Sequence, residues 1–96
     1  MLFRSTSIAA LLGAPASFAD QAVTIDGTVT VQSIGYAGES VYTLQKDDHR
    51  ITVFSKSAPP HPGDRLQVNG RVGYRPPDEE FTFPPIILES GRQALP

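Results

Sequence analysis

Alternation of apolar and polar positions is the strongest pattern in the chain, and it begins after residue 20. Residues 22–33 alternate strictly, and four apolar side chains share one parity: Val23, Ile25, Val29 and Val31. A period of two predicts a β-strand with one buried face. Gly27 lies on the same parity, where it predicts a bulge or sharp bend that lets one long strand serve two sheets.

Two further alternating runs predict a β-hairpin. Residues 41–46 and 49–56 flank Asp47 and Asp48, a polar dipeptide typical of a tight turn. The inward parity of the two runs carries Tyr42, Leu44, Ile51 and Val53.

The next segment predicts a fourth strand with no helix before it. Residues 57–64 contain three prolines and a glycine, which excludes a helix interior. Residues 65–75 alternate again, with a bend expected at Gly70 and with these side chains inward: Leu66, Val68, Val72 and Tyr74.

The C-terminal part predicts a last strand in two pieces. Residues 81–83 and 86–89 are rich in strand-forming side chains, but Pro84 and Pro85 separate them and restrict the strand to an edge or a bulge. We expect residues 90–96 to form a tail. Since no stretch has the pattern of an amphipathic helix, the fold class predicted is all-β.

The segment before the first strand has the order of charged, apolar and small residues that is typical of a secretory signal peptide. Arg4 is the only charge before Asp20, and an apolar centre at residues 8–12 follows it. Small residues at Ser17 and Ala19 predict cleavage before Asp20, and Ala14-Pro15-Ala16 offers a second site. We therefore expect residues 1–19 to be a signal peptide, residues 20–96 to be the domain, and the protein to be periplasmic or secreted. The alternative is a disordered or short helical N-terminus of a cytosolic protein.

Composition narrows the classes of function. The chain has 96 residues, no cysteine and a formal net charge of −2, which becomes −3 when the one base of residues 1–19 is removed. The absence of cysteine excludes disulfide scaffolds, zinc fingers and thiol catalysis. No apolar run is long enough to span a membrane. The acidic balance argues against a general polyanion binder, since such affinity comes from Lys and Arg.

Three segments resemble the OB fold, the five-stranded Greek-key barrel that binds oligonucleotides and oligosaccharides. They are the long first strand VTIDGTVTV, the hairpin YTLQKDDHRITVF and the fourth strand PGDRLQVNGRV. The pattern is similar to nucleic-acid-binding modules of the tRNA-anticodon type and to small exported bacterial OB proteins. The resemblance implies an OB-like barrel over residues 22–90 that lacks the helix between strands 3 and 4. An SH3-like barrel is the alternative.

The resemblance also implies a ligand-binding surface on the outer side of strands 2 and 3 and the adjoining loops. By parity that surface contains these outward side chains: Val41, Thr43, Gln45, Arg50, Thr52, Phe54 and Lys56. The adjoining loops place Tyr36, Arg75 and Phe81 at its rim. Phe54 between two cations offers a stacking platform for a base or sugar ring. The alternative is that the last strand or the tail covers Phe54. The acidic run 78–80 would repel a phosphate backbone near this rim.

The remaining residues do not form a recognisable catalytic or metal site. His49 follows two aspartates, but that pair is ordinary turn chemistry, and no serine has the context of a nucleophile. We therefore expect no enzyme, no metal and no cofactor. The function expected is an exported binding module for a glycan or a protein segment. Single-stranded nucleic acid as ligand and a structural accessory subunit of an envelope complex are the alternatives, and the oligomeric state stays open.

Overall fold

The computed structural model describes residues 2–34 and 39–96. Six strands and two short helices lie within these ranges. In chain order they are β1 (Arg4–Ser5), α1 (Ile8–Gly13), α2 (Pro15–Phe18), β2 (Ala22–Ile34), β3 (Ser40–Lys46), β4 (His49–Ser55), β5 (Arg65–Gly73) and β6 (Ile86–Ala94).

The five long strands close into a barrel. Each strand pairs with the next in the order β2-β3-β4-β6-β5, and β5 pairs back to β2. All of these pairings are antiparallel except that of β4 with β6. No helix lies between β4 and β5, as the prolines of residues 57–64 predict. The predicted all-β, five-stranded barrel is confirmed.

Strand β2 is shared between two neighbours, and the exchange occurs beside Gly27. Residues 22–28 pair with β5, and residues from Thr28 onward pair with β3. A Cβ at Gly27 would lie 2.8 Å from the carbonyl oxygen of Gln45, so this close approach requires glycine. The register shift itself falls between Val29 and Val31. The prediction that Val31 faces inward is therefore wrong, because the bulge turns its side chain outward, where it is 61% exposed.

The predicted hairpin is present with a two-residue turn. Asp47 and Asp48 have φ angles of 51° and 67°. Two consecutive positive φ values are those of a type I′ turn, whose twist matches that of the flanking strands. Register then follows from the turn, which places Thr43 opposite Thr52 and Val41 opposite Phe54.

The last strand differs from its prediction at both ends. Residues 81–83 are not a strand, and β6 begins only after Pro85. Residues 90–94, expected in a tail, continue β6 and pair with β5 as far as Leu66 opposite Ala94. Ser90 is the extra residue of a bulge, since Gly91 lies opposite Asn69 and Glu89 lies opposite Gly70. Because the residues after Leu88 are mostly polar, the sequence pattern did not predict that the strand continues to Ala94.

The barrel interior is filled by the inward parity of the strands. Eleven of its buried side chains come from residues 23–87: Val23, Ile25, Val29, Tyr42, Leu44, Ile51, Val53, Leu66, Val68, Val72 and Ile87. Tyr74 packs against this cluster from a half-buried position, as its parity predicts.

The N-terminal segment packs on the barrel. Strand β1 pairs in parallel with β2, and the two short helices α1 and α2 follow it. Ile8, Leu11 and Phe18 are at most 6% exposed and join the interior cluster. Because the strands form the barrel wall, these side chains reach the interior through an end of the barrel. No helix in the described ranges is long and apolar enough to cross a membrane.

Candidate ligand-binding surface

Two rows of side chains cross the outer surface of the barrel where β4 lies between β3 and β6. In one row Phe54 has Val41 on one side and Leu88 on the other. In the neighbouring row Thr52 lies between Thr43 and Ile86. Since β6 contributes aliphatic residues to both rows, the surface continues from the predicted β3–β4 face onto β6.

Phe54 lines a shallow pocket of about 440 Å³ beside the start of β6. The other lining residues are Gly73, Tyr74, Arg75, Phe83, Pro84 and Ile86. The lining is mostly apolar and aromatic, and it combines β4 with both ends of the connection between β5 and β6. Phe54 lies next to the last strand, yet it remains 39% exposed rather than covered.

The connection of residues 74–85 presents two more aromatic rings to solvent. Phe81 and Phe83 are 55% and 45% exposed, and their rings stack with centroids 5.8 Å apart. The guanidinium of Arg75 lies over the ring of Phe83, 5.8 Å from its centroid. An aromatic ring attracts a cation placed over its face, so Arg75 holds Phe83 beside the pocket.

Asp78 orders the tip of this connection. Its carboxylate accepts hydrogen bonds from the backbone N–H groups of Phe81 (2.7 Å) and Glu80 (2.9 Å). These hydrogen bonds favour the ionised form, and they lower the pKa of the Asp78 carboxyl below its usual value. The turn fixes the backbone just before Phe81 and Phe83. We refer to Phe54, Tyr74, Phe81, Phe83, Ile86 and Leu88 together as the aromatic face.

Cations lie on both sides of Phe54. Arg75 belongs to the pocket on one side. On the other side, a second depression is lined by Lys56 and Arg71 together with Leu88 and the carboxylate-bearing Glu39. The surroundings of the aromatic face are therefore of mixed charge.

A buried polar network lies behind this surface, on the inward parity of the same strands. The side chain of Glu89 is 3% exposed, and its carboxylate accepts hydrogen bonds from the hydroxyls of Tyr42 and of Ser55, the latter over 2.7 Å. Arg92 lies 3.4 Å from the same carboxylate and also donates to the carbonyl oxygen of Ala58. The network joins β3, β4 and β6 to the segment that follows β4.

The ionisation of Tyr42 reflects this environment. Burial raises the pKa of the Tyr42 phenol far above its ordinary value of 10, and the carboxylate of Glu89 adds to the increase, while Arg92 opposes it. The phenol is therefore a permanent hydrogen-bond donor to Glu89 at ordinary pH.

The structure brings together part of the predicted site. Thr43, Thr52 and Phe54 lie on the outer surface of β3 and β4, Lys56 follows the end of β4, and Arg75 lines the same pocket as Phe54. Arg50 lies near the hairpin tip, where its Nε donates to Gln45 over 2.9 Å. Arg50 is four positions from Phe54, about 13 Å along a strand, so Arg50 lies apart from the pocket. Tyr36 lies outside the described residues.

Sequence reasoning missed the contribution of the last strand. The sequence pattern places Phe83 in a strand and assigns no binding role to Ile86 and Leu88, which point outward. A signal was present, since residues 86–88 are apolar on both parities and a strand in a barrel buries only one of its faces. Glu89 and Arg92 carried no such signal. In the described ranges, no three His, Asp or Glu side chains form a metal-binding cluster.

Solved structures with the same arrangement exist, although the sequence itself matches no protein-family model and no curated protein. A Leishmania major Friedlin protein assigned as an aspartyl-tRNA synthetase superposes with a TM-score of 0.72 at 10% identity, over 96% of this chain and 20% of that one. The OBody AM3L09, bound to hen egg-white lysozyme, also gives 0.72, at 13% identity, over 99% of this chain and 97% of that one. The chain has the OB fold.

A third OB-fold likeness is more distant. The Stn1–Ten1 complex of S. pombe gives a TM-score of 0.59 at 16% identity, over 77% of this chain and 57% of that one. At sequence identities this low, the superpositions establish the fold of the chain and nothing about its function. This chain also spans only 20% of the length of the synthetase. The structural similarities and the strand order nonetheless show that the barrel is of the OB type and not of the SH3-like type named as the alternative.

Proposed function

We propose that this OB-fold chain is a non-catalytic binding module that holds a segment of a partner protein on the aromatic face. The observation that carries the proposal is a group of four large apolar side chains, each at least 39% accessible. Phe54 and Phe83 line one apolar pocket, Phe81 stacks on Phe83, and Leu88 lies opposite Phe54. A cluster of large apolar side chains at the surface marks an interaction site, whereas single exposed ones need no explanation. Aromatic residues are also enriched where protein partners meet.

The charges around the face favour a polypeptide over a nucleic acid. Asp78, Glu79 and Glu80 lie in the same connection as Phe81 and Phe83, and the chain as a whole has a net charge of −2. Binding of a phosphate backbone depends on neutralisation by Lys and Arg. Aliphatic Ile86 and Leu88 beside the rings suit apolar side chains of a peptide.

A glycan is the second candidate ligand. Phe81 and Phe83 stack on each other and are each about half exposed, and an exposed ring face can pack against a sugar. Single-stranded nucleic acid is the third candidate ligand, because one of the similar structures is assigned as an aspartyl-tRNA synthetase. Support for a protein ligand comes from the OBody, an OB barrel that is bound to lysozyme.

We further propose that the module acts outside the cytoplasm after removal of residues 1–19. The support is the order of Arg4, the apolar centre and the small residues at Ser17 and Ala19. Intact mass and N-terminal sequencing of protein recovered from a secreting bacterial host test this part separately. A product beginning at Asp20 supports it, and a product that retains residues 1–19 contradicts it.

Selection from a phage-displayed library of random peptides tests the binding function. The full chain is the target, and the variant Phe54→Ala is the counter-target. We expect enriched peptides with apolar side chains that lose at least about tenfold in affinity on Phe54→Ala, because a truncated central aromatic costs more than about 1.4 kcal/mol.

Val31→Ala is the matched control, since Val31 is exposed and apolar but lies on β2, opposite Thr43 and two strands away from Phe54. The proposal is contradicted if no peptide is enriched, or if Val31→Ala weakens binding as much as Phe54→Ala. The alternative role is that of a structural accessory subunit, which would associate with an envelope complex without using Phe54. If Phe54→Ala recovered as much of an envelope complex in a pull-down as the parent chain does, that result would favour the accessory role.

A further inference from the structure

We infer a second binding site at the barrel end that residues 4–18 cover, a site that takes a short apolar segment of a partner polypeptide. The inference rests on the removal of residues 1–19 proposed above, and it concerns a surface different from the aromatic face. In this chain the site is occupied by the chain's own N-terminal segment, so the chemistry of the occupant can be read directly.

The occupant binds in two ways. Arg4 and Ser5 extend the sheet by pairing in parallel with Val23 and Thr24, and the N–H of Thr6 donates to the carbonyl oxygen of Thr24 over 3.0 Å. The other edge of β2 is already paired with β5 at these positions. The free edge of Val23 and Thr24 is therefore a place where an added strand can pair.

The second contact is the six-residue helix α1, whose buried side chains join the interior cluster. Ser7 caps α1 by accepting a hydrogen bond from the N–H of Ala10 over 3.0 Å. Ile8 and Leu11, three positions apart on one face, are 1% and 0% exposed. Phe18 closes the site, and the guanidinium of Arg4 lies 4.8 Å from its ring centroid.

The predicted cut separates this occupant from the barrel without breaking the barrel wall. Ala19, Asp20 and Gln21 form the link, and Asp20 is exposed with a φ of 61°. On the retained side, Val72 exchanges backbone hydrogen bonds with Asp20 (2.9 Å) and Gln21 (3.0 Å). All the β2–β5 pairs from Ala22 to Thr28 also remain.

Removal of residues 1–19 thus leaves an apolar opening next to an unpaired strand edge. A soluble domain that exposes both has the features of a peptide-recognition site. The segment that fits consists of two extended residues, a capping serine or its equivalent, and one helical turn with two aliphatic side chains three positions apart.

Peptide exchange in a cleavable full chain tests the inference independently of export. A protease recognition sequence is inserted after Ala19, the folded chain is cut, and a fluorescent synthetic peptide of residues 2–19 is added. We expect saturable binding by fluorescence anisotropy to the cut chain and none to the uncut chain, whose own segment competes at about millimolar effective concentration. A peptide with Ile8→Asp and Leu11→Asp should bind at least about 100-fold more weakly.

A second peptide keeps Ser7, Ile8, Leu11 and Phe18 and changes the exposed positions, and we expect it to bind within about threefold of the original because the buried contacts are retained. Loss of amide dispersion in the NMR spectrum after cutting would overturn the inference, since the segment would then be an indispensable part of the core. Failure of the labelled peptide to bind, or equal binding of the two-aspartate peptide, would also overturn it. Dimerisation of the uncut chain through exchanged N-terminal segments would assign the site to a second copy instead.

Discussion

The side chain of Glu89 is 3% exposed, so its carboxylate depends on protein groups for most of its hydrogen bonds. An unpaired buried charge is costly, but here Tyr42 and Ser55 donate hydrogen bonds and Arg92 supplies an opposite charge. In the described residues no buried side-chain nitrogen or oxygen lacks a hydrogen-bond partner. The network therefore fixes the relative positions of β3, β4 and β6 behind Phe54.

Tyr42→Phe should lower stability at neutral pH and change its alkaline dependence. Loss of the hydroxyl leaves Glu89 with one donor fewer, which costs about 1–2 kcal/mol in the free energy of unfolding. Because the pKa of Tyr42 is raised in the folded state, the unfolded chain releases this proton first. The contribution of Tyr42 is therefore complete below pH 10 and falls as the pH rises above it.

Urea unfolding at neutral pH and at several values above pH 10 measures this effect. The parent chain should lose stability more steeply with rising pH than Tyr42→Phe. Parallel pH profiles for the two chains would show that the phenol is not held protonated by its surroundings.

At the scale of single residues, parity predicts burial well and fails where register shifts. Every inward position of β3, β4 and β5 that alternation selects is buried, because a strand in a closed barrel has one face on each side of the wall. Val31 departs because the bulge before it reverses its face. The Glu89 network was beyond prediction, since its partners meet only once three strands are in register.

At the scale of elements, two glycines set the curvature of the barrel wall. Gly27 lies where β2 passes from β5 to β3, and Gly70 lies at the bulge between β5 and β6. A Cβ at Gly70 would lie 2.6 Å from the Leu88 carbonyl oxygen. Both sites need an approach of two backbones that a side chain would prevent.

Gly27→Ala should destabilise the fold by about 1–3 kcal/mol, because its Cβ would meet the Gln45 carbonyl oxygen at 2.8 Å and the Leu44 side chain at 2.9 Å. Gly91→Ala in β6 is the matched control, since nothing lies within 4 Å of its added Cβ. Denaturant midpoints compare the two variants. A Gly27→Ala chain as stable as Gly91→Ala would refute the close approach.

The last strand shows why element boundaries were harder to predict than elements. Alternation located β2 to β5, whose apolar parities are continuous. In β6 the apolar run ends at Leu88, and the rest of the strand is held by backbone pairing to β5 around the Ser90 bulge. The aromatic face was therefore only half predicted: β4 supplied Phe54 from sequence, whereas Phe83, Ile86 and Leu88 required the path of the chain.

At the scale of the whole molecule, the N-terminal segment supplies part of the hydrophobic core. Helix α1 packs against β4, and its side chains Ile8 and Leu11 belong to the interior cluster. In the full chain these residues contribute like those of the barrel wall.

Leu11→Ala in the full chain should therefore cost about 2–5 kcal/mol, as expected for a leucine that is 0% exposed. Leu2→Ala is the same substitution at a leucine that is 95% exposed, and it should change stability by less than about 0.5 kcal/mol. Thermal or urea unfolding of the two variants decides the matter. Equal stabilities would mean that α1 does not occupy the barrel end in solution.

The central claim, that the aromatic face holds a protein segment, is tested most directly by amide NMR titration of the labelled full chain with a library-selected peptide. An oligothymidylate strand is titrated in parallel at two salt concentrations. We predict peptide-induced shifts at residues 52–56 and 73–88 that vanish in Phe54→Ala, persist in Val31→Ala and change little with salt, because apolar contacts carry the affinity. Peptide shifts located elsewhere, or salt-sensitive oligothymidylate shifts centred on Phe54 and Lys56, would contradict the account.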